Sequence, residues 1–138
     1  MSYEVLLVSG VFAGLLSTQV ATGTDVPDAL SVGWQGKKPC ELLNEDSQIR
    51  IMRCTFAPGA KHSRHSHPAT FNYVLNGGKV QVQDENGTRV AERPTGGQMD
   101  SSPVPWREVT NVGDTTLQFL VVEKKYRPVS SMGRDAAR

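Results

Sequence analysis

Gly59-Ala60-Lys61-His62-Ser63-Arg64-His65-Ser66-His67-Pro68 gathers all three histidines of the chain between a glycine and a proline. Successive residues of a β-strand face opposite sides, so His65 and His67 project into the same space. Two imidazoles converging from one strand are half of a transition-metal site, which needs one or two further ligands from another strand. The plain alternative is a solvated pair on the surface. Regular alternation turns His62 away from the other two, although in a loop it could reach them.

The flanking sequence reads as short strands separated by turn clusters. Before the histidines lie 41–44 and 48–57, joined by Asn44-Glu45-Asp46-Ser47 and closed by Pro58-Gly59. After them come 70–75, in which Phe71, Tyr73 and Leu75 alternate with Asn72 and Val74, and 79–84, with Val80 and Val82 on one face. Asn86-Gly87 is a two-residue hairpin signal requiring positive φ. Strands over 88–92, 98–101, 107–111 and 115–123 follow, the last two joined by Asn111-Val112-Gly113-Asp114. No stretch shows comparable helical periodicity. The expectation is an all-β domain, a sandwich or barrel of jelly-roll type that curls to hide its edges.

The 138 residues suffice for one domain with a real core, here expected over 39–126, with an N-terminal extension over 1–38 and a polar tail over 127–138. A net charge of +1 with scattered Lys and Arg provides no field for nucleic acid. Cys40 and Cys54 permit a disulfide, but the reading preferred is two small half-buried strand residues. Val5 to Leu16 is apolar and is followed by Val20-Ala21-Thr22-Gly23, as in a secretory signal peptide, yet Glu4 occupies the place of the usual basic residue. The segment is too short and too broken by Gly and Ser to span a bilayer. A packed arm on a cytoplasmic protein is the reading adopted. A periplasmic or secreted protein, with 5–23 as signal peptide, is the alternative. No Ser-His-Asp order, phosphate loop or Cys-x-x-Cys appears.

Gly59 followed after five residues by His65-x-His67, with a glycine after Leu75, resembles the first motif of the cupins. Gly97, five residues, Pro103, and then Asn111-Val-Gly-Asp114 resembles the second. Leu42-Leu-Asn-Glu45, Ile49-Arg-Ile51, Ala57-Pro-Gly59 and Leu120-Val-Val-Glu-Lys124 extend the likeness over roughly residues 40 to 125. The resemblance implies a cupin-type double-stranded β-helix barrel, often a homodimer, with a metal at its open end. His65 and His67 match the family's histidine pair. The family's glutamate falls at Phe71 or Thr70. Its third histidine falls at Glu108 or at Arg107, depending on where the count begins. Pro105 replaces the usual second-motif glycine.

Those two neighbours point to opposite faces, so register decides the chemistry. With Glu108 inward, His65, His67 and Glu108 form the two-histidine, one-carboxylate set of many non-haem iron sites. Fe, Mn, Ni and Zn are then not distinguishable. The expected function is binding of a divalent metal and a small anionic ligand. Metal-assisted oxygenation, isomerisation or elimination would follow, Glu108 ligating or acting as base and Arg107 orienting the substrate. With Arg107 inward, a permanent cation takes the metal's place and offers a two-toothed grip on a carboxylate or phosphate. The protein is then a non-catalytic binding module. In either case Phe71, Tyr73 and Trp106 are expected to wall the pocket.

Overall fold

The computed structural model describes residues 25–126; the signal-like segment and the polar tail lie outside the described residues. Among these residues there are nine strands: β1 (Cys40–Glu45), β2 (Ile49–Phe56), β3 (Lys61–His67), β4 (Ala69–Asn76), β5 (Gly78–Asp84), β6 (Gly87–Arg93), β7 (Gln98–Ser101), β8 (Val104–Asn111) and β9 (Leu117–Lys124). They form a five-stranded sheet in the order β1-β2-β9-β4-β7 and a four-stranded sheet in the order β3-β8-β5-β6. Every pairing is antiparallel, and consecutive strands repeatedly fall in different sheets. The all-β barrel is as expected. No helix of the described residues is long and apolar enough to cross a membrane.

The alternation in β9 shows how the core is made. Leu117, Phe119, Val121 and Glu123 are buried, and the residues between them face outward. Met52, Cys54 and Phe56 of β2, Val74 of β4, Val80 and Val82 of β5 and Val109 of β8 complete the apolar filling between the sheets. Gly59 and Gly87 have φ of 78° and 105°, a left-handed region open to glycine without steric cost, but the β5–β6 loop is Glu85-Asn86, with Gly87 already paired to Asp84 and Asn86 outside the positive-φ region. Buried Asn111 closes the β8–β9 turn. Its amide donates to the carbonyls of Phe56 (2.9 Å) and Thr115 (2.7 Å), and its oxygen accepts from Gly113 N (3.0 Å).

The cysteines correct the reading made from sequence. Cys40 and Cys54 are directly opposite on β1 and β2 and are joined in a disulfide. Register explains this: two cysteines on facing positions of adjacent antiparallel strands bring their side chains to the same face. The bond holds down an edge strand that otherwise buries little, with Leu42 and Leu43 about half exposed at 49% and 48%. Cleaving a cross-link that closes a loop of this length should cost about 3 kcal/mol. Denaturant unfolding with and without a phosphine reductant should show that loss. An unchanged midpoint with both thiols titratable would count against it.

Ahead of β1, residues 26–28 run along the free edge of β3. Ser66 N donates to Pro27 O at 2.8 Å, and Asp28 bridges to Ser66 in parallel. Asp28 also reaches Arg50 of β2 at 3.3 Å. This part of the extension therefore spans from one sheet to the other beside the histidine strand.

Candidate functional site

The histidine strand is irregular, and that irregularity builds the site. His62 faces Val109, His65 faces Arg107 and His67 faces Val104, so one extra residue is inserted in β3 between His62 and His65 and one in β8 beyond Arg107. A bulge reverses the alternation past it. As a result His62, His65 and His67 are all buried, at 2%, 0% and 6% exposure. The His62 and His65 rings stack at 3.7 Å between centroids, and His65 meets His67 edge-on at 4.8 Å. The expectation that His65 and His67 share a space holds. The expectation that alternation turns His62 away does not, because it assumed an unbroken strand.

Each ring has its tautomer set by its partner. His62 Nε2 donates to the carbonyl of Ala29 at 2.8 Å, leaving Nδ1 near Cys40 Sγ at 3.8 Å. His65 Nδ1 donates to Ser63 O at 2.7 Å. Its Nε2 accepts a long contact, 3.4 Å, from Arg107 Nε. His67 Nδ1 donates to Glu123 Oε1 at 2.6 Å, and Glu123 Oε2 accepts from Arg50 Nε and Nη2, each at 2.6 Å. Asp28, Arg50 and Glu123 thus form a chain of ion pairs running inward from the surface and ending in the hydrogen bond from His67.

Burial dominates the electrostatics of this cluster. It pushes His62 down to about 4, and His65 and His67 down to about 2. The other imidazoles and Arg107 press His65 further in the same direction, and Arg107 is the next cause at His67. The rings are therefore neutral at neutral pH. Burial lowers Arg107 to about 10, which leaves it a cation. Burial also raises Glu123, against the pull of Arg50.

The residues expected to form the pocket divide sharply. Arg107 faces inward with His65, and Glu108 lies on the opposite face across from Gln83, so Glu108 is not among the histidines. Trp106 also faces outward, its ring covered by the Arg64 guanidinium at 4.1 Å. On β4 Ala69, Thr70, Asn72 and Val74 are buried, and the alternation from Thr70 to Val74 turns Phe71 and Tyr73 to the outer face. Hydrophobicity assigns the aromatic set inward, whereas the smaller side chains Thr70, Asn72 and Val74 line the interior.

A cavity of about 130 Å³ opens between the sheets. His67, Arg107, Arg89, Arg93, Asn72 and Ser101 give it a polar side, and Val80, Val82, Phe119 and Val121 an apolar one. Arg89 is paired with Asp84 at 2.7 Å, whereas Arg93 and Arg107 make no ion pair among the described residues. Glu123 was not singled out from sequence. A lone acidic residue at an inward position of a Leu-x-Phe-x-Val-x-Glu strand was the available signal.

The donor set does not suit a divalent ion. Among the described residues no group of three His, Cys, Asp or Glu side chains is placed to hold a metal. His65 Nε2 already accepts from Arg107, and the same cation bears on His67, where an ion would need an anionic ligand.

No family model matches this chain, and no curated protein does. Solved structures do. A cupin domain from Bordetella pertussis Tohama I matches over 63% of this chain and 92% of its own length, with 17% identity and a TM-score of 0.60. A conserved protein with a double-stranded β-helix domain from Klebsiella pneumoniae matches over 75% and 91%, with 16% identity and a TM-score of 0.54. An RmlC-like cupin family protein from Methanocaldococcus jannaschii matches over 66% and 84%, with 13% identity and a TM-score of 0.52. At such identities the likeness concerns the backbone, and with the two sheets and bulged histidine strand it establishes that this chain has the cupin fold, a double-stranded β-helix barrel.

Proposed function

We propose that this protein is a binding module for a small organic anion, held inside the barrel by Arg107. The observation that carries the reading is the inward Arg107 guanidinium, unpaired among the described residues, at the position where the resemblance would put a metal ligand. Arg93 on the same cavity adds a second unpaired cation. A buried guanidinium without a carboxylate is unfavourable, and an anionic ligand relieves it. The metal-dependent oxygenase or isomerase reading, with Glu108 or water completing the shell of His65 and His67, is less well supported, because the Arg107 cation faces those histidines.

Millimolar small carboxylates should raise the melting temperature of the wild-type protein, and Arg107→Gln should abolish at least nine-tenths of the binding affinity. Stabilisation that survives Arg107→Gln would refute this reading. One tightly held divalent ion per chain, in protein purified without an affinity metal, would favour the other.

Two accompanying proposals concern context. The Cys40–Cys54 disulfide supports an oxidising compartment, such as the periplasm or exterior, over the cytoplasm expected from sequence. A homodimer would use the outer face of the five-stranded sheet. There Ile51, Val122 and Phe71 lie side by side in register, as do Leu120 and Tyr73. Phe71→Arg should then yield monomer in sedimentation equilibrium, and a wild type that sediments as a monomer removes the dimer proposal.

A further inference from the structure

We propose that the ligand of this cavity is a small 2-hydroxycarboxylate, its carboxylate on Arg107 and its hydroxyl donating to His67 Nε2. The inference rests on the anion-binding reading above and adds the chemical class. A carboxylate ion-paired to Arg50 has only acceptors to offer, so the hydrogen between Glu123 and His67 belongs to Nδ1. The opposite nitrogen, Nε2, is therefore an acceptor. It makes no hydrogen bond among the described residues, and His67 lines the cavity.

The cavity thus presents a cation and a fixed lone pair within one small space. The His65 ring, which Arg107 touches at 3.4 Å, lies 4.8 Å from the His67 ring. A complementary ligand carries an oxyanion and a donor a few atoms apart. An ammonium donor is disfavoured by Arg89, Arg93 and Arg107 on the same walls, and a hydroxyl is not. The apolar walls of Val80, Val82, Phe119 and Val121 favour a carbon skeleton over free phosphate, and about 130 Å³ limits that skeleton to a few atoms.

The test compares lactate, propionate, pyruvate and alanine by calorimetric titration on the wild-type protein. Lactate adds only a hydroxyl to propionate, pyruvate puts an acceptor there and alanine an ammonium. Lactate is expected to bind about tenfold more tightly than each of the others, the worth of one well-made hydrogen bond. His67→Phe should bring lactate and propionate to equal affinity. Glu123→Gln, whose amide can accept from or donate to Nδ1 and so frees the tautomer, should reduce the ratio to about threefold or less. Propionate or pyruvate binding as tightly as lactate, with all of them still dependent on Arg107, overturns this inference and leaves the anion reading standing. Tighter binding of alanine also overturns it, as does a lactate preference that survives His67→Phe. Absence of binding by all four, on wild-type protein with a normal melting transition, overturns both readings.

Discussion

Lowering the pH from 7 to 5 is expected to remove several kcal/mol of stability from this barrel. The three histidines titrate near 6.5 when unfolded and are held at about 4, about 2 and about 2 when folded. Below pH 6.5 the unfolded chain therefore binds more protons than the folded one, and stability falls as pH falls. The loss begins near 6.5 and continues until the folded values are reached. Each histidine contributes about 1.4 kcal/mol per pH unit in that window, so about 2 kcal/mol is lost per ring by pH 5. Three rings set an upper bound of roughly 6 kcal/mol, much of the stability of a typical domain.

Glu123 acts in the opposite sense. Its folded pKa is raised, so protonating it on acidification favours the folded state and offsets part of the loss. Asp28, with a lowered pKa, adds to the loss only below its ordinary value of 3.8. Between pH 6.5 and 5 the histidines dominate. Urea unfolding at half-unit steps should show a slope of at least one histidine's worth, and His62→Gln, which keeps a donor for the Ala29 carbonyl, should reduce it. Equal stability at pH 7 and pH 5 would mean that the rings already take protons in the fold.

The fold was legible because its signals were local. Asn86-Gly87, Pro58-Gly59 and Asn111-Val-Gly-Asp marked the turns, and alternation in Lys79–Asp84 and Thr115–Glu123 marked the strands between them. What alternation cannot supply is phase once a strand is bulged. A residue inserted between His62 and His65 brought His62 to the interior. Phase was also misjudged on β4, where the outer face carries Phe71 and Tyr73 because they pack beside Val122 and Leu120 of β9. The choice between Arg107 and Glu108 is a question of register, which only the pairing of β8 with β3 answers. Cys40 and Cys54 belong to the same class: their bond depends on two strands being aligned, which neither spacing nor composition reveals. Glu123 was invisible for a different reason. Its significance lies in Arg50 and His67, 73 and 56 residues away in sequence.

Glu123→Ala should be among the most damaging single substitutions in the chain, with a loss of about 3–5 kcal/mol. Glu123 is 2% exposed and touches buried His67 and half-buried Arg50. Its removal leaves the His67 Nδ1 hydrogen without an acceptor at 2% side-chain exposure. It also leaves the Arg50 guanidinium, at 16% exposure, with only the looser contact to Asp28 at 3.3 Å. The penalty is the desolvation of groups that have lost their partner, which exceeds the net worth of the intact pair. Glu123→Gln retains an acceptor for one of the two donors and should cost less, about half as much. Removing Arg50 as well, in Arg50→Met combined with Glu123→Leu, should recover much of the loss, since the only charge then left without its partner is that of Asp28, whose side chain is 48% exposed. Chemical denaturation of the three variants measures all of these effects. If Glu123→Ala costs under 1 kcal/mol, water or a neighbouring group satisfies Arg50 and His67 without the carboxylate. The ionic chain from Asp28 to the cavity would then not be what fixes the His67 lone pair.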